Sequence, residues 1–173
     1  MKIAYTMAPG QGDMDLLLYD VAERLAARGA RICGCVQSNT GREDCPKCDM
    51  DVKVLPDGPV VRISQSLGPQ ARGCRLDAAA LETAVAATLS EIARGADLLI
   101  VNKFGKHEAE GRGFRAAIAE ALAREMPVIV GLNRTNEPAF QEFVQGFAVP
   151  LAPDAEALLD WAEAAIQGED TPA

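Results

Sequence analysis

Histidine occurs once in the 173 residues, at His107, which reads as a surface loop residue rather than a catalytic base, and the sequence offers no Ser-His-Asp constellation around it. No apolar run is long enough to span a bilayer. The Met-Lys-Ile-Ala-Tyr-Thr start also lacks the apolar region of a signal peptide, and the expectation is a cytoplasmic protein without membrane insertion. Basic residues are outnumbered, 17 against 25 acidic ones, for a formal charge of −8. That balance excludes a broad electrostatic footprint for nucleic acid or an anionic membrane and leaves room only for a local basic pocket. Cysteine is absent from the second half, and the five in the first half are an odd number, so reduced thiols are expected rather than a disulfide framework. What is present is ordinary for a globule: 49% apolar and 24% charged residues, enough to bury one core. The length fits one domain, expected over residues 1–167, with residues 168–173 a flexible tail.

The apolar pattern alternates between strand and helix. Residues 2–7 form a short buried strand that runs into Ala8-Pro9-Gly10-Gln11-Gly12. From Asp13, the expected N-cap, Met14, Leu17, Leu18, Val21 and Leu25 recur at helical spacing until Gly29. Residues 31–37 give a second strand and polar residues 38–47 an exposed loop. Residues 50–55 and 60–65 flank Pro56-Asp57-Gly58-Pro59 as a hairpin. A helix capped by Asp77 carries Leu81, Val85, Leu89 and Ile92 on one stripe. Residues 97–102, Asp-Leu-Leu-Ile-Val-Asn, read as a central parallel strand. A helix over residues 110–125, a strand over 127–132, a helix over 136–145, a short strand over 147–149 and a helix over 154–167 complete the alternation. The fold class expected is a three-layer α/β/α domain with a mainly parallel sheet and an inserted β-hairpin.

A strand, a glycine-rich turn and a helix N-terminus form an anion-holding arrangement, because backbone N–H groups and the helix dipole converge there. A phosphate-cleaving loop further requires Gly-x-x-x-x-Gly-Lys-Ser/Thr. With Gly12 as the last glycine, the Lys slot holds Asp13, the hydroxyl slot Met14 and the first-glycine slot Met7. A carboxylate in the Lys slot repels a triphosphate. Asn102 and Lys103 stand at the next strand end, where an ATPase of this topology has acidic residues for Mg²⁺. Lys103, Lys106 and Arg112 concentrate positive charge instead; the bland alternative pairs Lys106 with Glu110 and Glu108 with Arg112 as solvated helical pairs.

The run Asp-Leu-Leu-Ile-Val-Asn-Lys-Phe-Gly-Lys-His-Glu-Ala-Glu-Gly-Arg-Gly-Phe-Arg at 97–115, with Cys48-Asp49-Met50, Ile63-Ser64-Gln65, Leu67-Gly68 and Gly73-Cys74-Arg75-Leu76-Asp77, carries a resemblance to a known family. The sequence resembles a bacterial family of unknown function whose members are often labelled nucleoside-triphosphatase-like or molybdenum-transporter ATP-binding proteins. The match covers the chain to about Leu151. Its parent group is similar to small P-loop nucleoside triphosphatases whose corresponding strand ends in Asp-Glu-Ile-Gly-x-x-Glu. The chain keeps Gly105 and Glu108 in that frame and replaces the acidic pair with Asn102-Lys103. The resemblance implies a P-loop-like fold, a nucleotide or molybdate as ligand, and altered hydrolytic motifs.

Cys45-Pro46-Lys47-Cys48 is half of a zinc spacing, and no second Cys-x-x-Cys exists. Cys48 and Cys74, with Asp49, are the candidate metal or redox set, expected within disulfide or shared-metal distance. Cys33 and Cys35 share one face of a strand as small core residues. The leading expectation is a binding or regulatory protein that holds a small anionic ligand without efficient hydrolysis, through Gly10, Gln11, Gly12, Asp13, Lys103, Lys106 and Arg112 in one pocket. The alternatives are an active triphosphatase or phosphotransferase with a rearranged site, and a thiol-based zinc or redox protein. Glu108 or Asp49 would be the metal ligand in the second, Cys48 and Cys74 the centre of the third. A homo-oligomer contact through the hairpin stays open.

Overall fold

A computed structural model describes residues 1–10, 12–42, 45–65 and 76–168; of residues 39–42 and 45–49 it describes the backbone alone. The elements run β1 (Ile3–Thr6), α1 (Asp13–Ala27), β2 (Ile32–Arg42), β3 (Cys45–Leu55), β4 (Val60–Arg62), α2 (Ala78–Ala93), β5 (Leu98–Phe104), α3 (Lys106–Ala109), α4 (Arg115–Ala123), β6 (Val128–Leu132), α5 (Glu137–Phe143), β7 (Val149–Leu151) and α6 (Ala155–Gln167). They build one seven-stranded sheet in the order β4-β3-β2-β5-β6-β1-β7. The five strands from β2 to β7 in that order are parallel, and β3 and β4 add an antiparallel edge.

Burial explains the parallel part. Every residue of β1 and β6 is buried, as are Leu98 to Asn102 of β5, so these strands read as continuous apolar runs covered on both faces. One face packs Leu81, Val85 and Ile92 of α2 and Ile118 of α4 against Leu99 and Val101. The other packs Leu18, Val21 and Leu25 of α1 and Leu158, Leu159 and Trp161 of α6 against Leu98 and Ile100. The three-layer α/β/α class is therefore the observed one. Among the described residues, no helix is long and apolar enough to cross a membrane.

Four boundaries differ from the sequence expectation. The polar segment 38–47 is not a loop throughout: β2 continues to Arg42 and β3 begins at Cys45, with antiparallel pairing from Gly34↔Leu55 out to Arg42↔Cys45. A hydrogen-bonded ladder can continue through polar residues, which offer no apolar period to read. The helix expected from residue 110 begins at Arg115, because Gly111 and Gly113 adopt φ of +90° and +60° and interrupt it. The last strand lies two residues later than expected, at Val149–Leu151. The N-cap of α1 is Gly12, at φ +87°, and Asp13 is the first helical residue; Asp77 and Asp154 do cap α2 and α6 as their positions imply.

Candidate functional site

The turn after β1 and the loop after β5 both leave the carboxyl edge of the parallel sheet, with β6 between them. In the first turn of α1 the acidic residues are Asp13 and Asp15, which interact favourably with the positive end of the helix dipole. The Asp13 carboxylate folds back toward Gly10, where a Cβ would lie 2.0 Å from Asp13 Oδ2 and would turn that exposed side chain aside. Thr6, the last residue of β1, is 1% exposed, and its hydroxyl has no hydrogen-bond partner among the described residues.

Asn102 joins three elements. Its side chain is buried at the end of β5, where Nδ2 donates to Asp15 Oδ1 at 2.8 Å and Oδ1 accepts from the Gln37 backbone N–H at 3.0 Å. Gln37 Nε2 closes the ring by donating to Asp15 Oδ2 at 3.4 Å. β2, β5 and the start of α1 are thus tied together by an amide that holds a carboxylate. Gln37 points into this crevice, whereas Gln65 turns away and donates to the Leu76 carbonyl at 2.9 Å. Asp15 carries no motif in the sequence; only its place two residues beyond Asp13 marks it.

The pairing of β5 with β6 shifts between Val101 and Phe104, so residues 102 and 103 share the space opposite one residue of β6. The extra residue allows Val101 and Phe104 to pack into the same core cluster. Lys103 is left exposed and makes no ion pair or hydrogen bond among the described residues. Beyond it, Glu108 is 3% exposed and accepts from the backbone N–H of Gly105 at 2.9 Å and of Phe114 at 3.2 Å. Gly113 is required beside it, because a Cβ there would lie 2.3 Å from Glu108 Oε1. Glu82 of α2 adds a second clamp, its Oε1 3.1 Å from His107 Nε2 and accepting from the Gly113 N–H at 3.0 Å.

The charges on this loop separate into two kinds. Lys106 and Arg112 converge on Glu110, at 3.7 Å and 2.5 Å, in open solvent. The Lys106–Glu110 helical pair is as the bland reading has it, but Glu108 does not pair with Arg112; its two oxygens serve the backbone. The same contacts leave Glu108 unsuited to the metal-ligand role of the rearranged-site alternative, and His107 is a buried structural contact rather than a surface residue. Lys103 stands apart as the unpaired cation.

The cysteines divide likewise. Cys33 and Cys35 are buried core residues, and burial pushes both thiols up to about 12, so they remain protonated and unreactive at neutral pH. The side chains of Cys48 and Asp49, and all of Cys74 and Gln11, lie outside the described residues, and so does the expected Cys48–Cys74 proximity. Among the described residues no group of three or more His, Cys, Asp or Glu is placed to hold a metal. A cavity of about 690 Å³ opens at the other end of the sheet, between the Pro56–Pro59 turn and the end of α2. Arg31 and Arg94 both bond Glu91 there and hold its carboxyl below the usual range.

With this geometry in hand, a family model described as a protein of unknown function (DUF2478) matches residues 3–161. The chain belongs to this family. It is 36% identical over 162 residues to the molybdenum import ATP-binding protein ModC 2 of Bradyrhizobium diazoefficiens, covering 92% of this chain and 18% of that relative. It thus spans less than a fifth of that relative's length. The nucleoside-triphosphatase THEP1 of Methanosarcina acetivorans is 25% identical over 152 residues, 86% of each chain. The solution structure of a human cancer-related nucleoside triphosphatase superposes with a TM-score of 0.65 at 18% identity, covering 99% of this chain and all of that one. The DUF2478 chain therefore shares the fold of that nucleoside triphosphatase.

Proposed function

We propose that the protein is a binding or regulatory module that holds an oxyanion at the carboxyl edge of its sheet and does not hydrolyse it efficiently. The oxyanion is the phosphate group of a nucleotide or an inorganic anion such as molybdate. The observation that carries this reading is the buried Asn102, whose amide is engaged by Asp15 on one side and the Gln37 N–H on the other. At that strand end a hydrolysing relative needs carboxylates that hold Mg²⁺ and order water. A neutral amide committed to two partners supplies neither. Asp13 compounds the change, since its carboxylate lies over Gly10 where a phosphate-contacting Lys would extend. Favouring an anion are Lys103 and the buried Thr6 hydroxyl, neither of which has a partner among the described residues, the Thr6 hydroxyl being a group that a bound ligand would satisfy. The name of the Bradyrhizobium relative makes molybdate and ATP the first ligands to try.

Differential scanning fluorimetry with ATP, GTP, phosphate, molybdate, tungstate and Zn²⁺, paired with a phosphate-release assay in Mg²⁺, tests the proposal. An anion at about 100 times its Kd stabilises the native state by about 2.7 kcal/mol, a rise in Tm on the order of 5 to 10 °C for a domain of this size. The expected result is such a rise with at least one oxyanion and phosphate release at background. Steady turnover that Gly12→Val abolishes would overturn the reading in favour of an enzyme. A response to Zn²⁺ alone would overturn it in favour of the thiol site.

A further inference from the structure

The order β5-β6-β1 places the exit of β6 between the two loops already described. Register fixes the level: Thr6 pairs with Gly131 and Phe104 with Leu132, so Asn133-Arg134-Thr135-Asn136 emerges beside the start of the β1–α1 turn on one flank and beside Lys103 on the other. Neighbouring strands lie about 4.8 Å apart, so an arginine side chain rooted at β6 spans the distance to either loop. The turn is closed by Asn133, whose Oδ1 accepts from Asn136 N and Nδ2 at 3.0 Å each. Arg134 is exposed within it and makes no hydrogen bond or ion pair among the described residues.

The other cations on these loops are engaged. Lys106 and Arg112 share Glu110, and the Arg115 guanidinium lies 4.3 Å from the centre of the Phe143 ring. Lys103 and Arg134 are the described cations on the β5 and β6 exits that remain without a partner. Lys103 and Arg134 thus give an otherwise acidic chain two exposed cations at adjacent strand exits, beside the Asp13 and Asp15 carboxylates at the start of α1.

We propose that Arg134 is a ligand-binding residue of this edge, its guanidinium fork engaging a tetrahedral oxyanion bidentately while Lys103 contributes a point charge from the neighbouring exit. The inference rests on the oxyanion reading above and assigns it a residue outside the motifs noted in the sequence. Lys106 and Arg112 then belong to the loop's own ion pairs.

Isothermal titration of the full chain with ATP, inorganic phosphate and molybdate tests it, since the probe that binds also identifies the source of the oxyanion. Arg134→Ala should weaken binding of that probe at least about tenfold, the loss expected for a charge-assisted hydrogen bond. It should also flatten the salt dependence, and Arg134→Lys should recover part of the affinity by restoring charge without the fork. Arg124→Ala, at the far end of α4 in a solvated pair with Glu120, serves as control and should bind as wild type. Because Arg134 is exposed and unpaired, its variants should keep the wild-type Tm. If Lys103→Ala loses binding while Arg134→Ala binds like wild type, the role of Arg134 is overturned and the oxyanion reading stands. If wild type binds none of the three probes, that reading falls and the proposal with it.

Discussion

Replacing Glu108 by Ala is expected to lower stability by about 3 kcal/mol, the loss of two hydrogen bonds to a buried carboxylate together with the cost of leaving their donors unsatisfied. For a chain of this size that is a fall in Tm of roughly 6 to 12 °C. The Gly105 and Phe114 N–H groups both point at this side chain, and they are the two ends of the loop that follows β5. Their amide hydrogen exchange should accelerate more than that of the β6 strand, since the loop opens before the sheet does. Glu110→Ala provides the contrast: that carboxylate serves only solvated ion pairs with Lys106 and Arg112, and its removal should change stability by no more than about 0.5 kcal/mol. Thermal and denaturant melts of the two variants check the difference. Equal losses would mean that Glu108 is not the clamp its geometry indicates.

Gly131→Ala is expected to be comparably damaging, and for a reason that reaches the site. A Cβ on Gly131 would lie 2.1 Å from the Asn102 carbonyl oxygen, a contact that backbone must move to relieve, and 3.0 Å from Leu18 Cδ1. Overpacking against backbone costs on the order of 1 to 3 kcal/mol. The carbonyl displaced belongs to the residue that ties Asp15 to the Gln37 N–H, so the Gln37 amide should lose exchange protection in the variant. A Gly131→Ala protein with wild-type stability and an unchanged Gln37 amide would contradict this packing.

The central strands and their covering helices could be read from composition because burial on both faces leaves a continuous apolar signature in β1, β5 and β6. The extended β2–β3 arm could not, since its pairing runs through polar residues that carry no period. At the site, the exceptional residues Asp13, Asn102 and Lys103 were visible as departures from a phosphate-binding pattern at expected slots. Asp15, Glu82 and Arg134 were not. Asp15 and Glu82 act through contacts 87 and 31 residues away along the chain, which no local spacing encodes. Arg134 gains its place from the strand order, which puts β6 between β5 and β1 although it follows β5 in sequence. The charge cluster read from Lys103, Lys106 and Arg112 divides for a similar reason: once Glu108 turns inward to the backbone, Glu110 is the carboxylate left to meet Lys106 and Arg112.

On the proposed reading, an oxyanion is held at an edge where Asn102 and Asp13 stand in place of the groups that metal-assisted hydrolysis requires. Titrating the protein with ATP and with molybdate, once in Mg²⁺ and once in EDTA, addresses it directly. The ligand that binds is expected to do so with the same Kd in both buffers and to be recovered intact from the calorimeter cell. Binding that requires Mg²⁺, with ADP and phosphate accumulating, would contradict it.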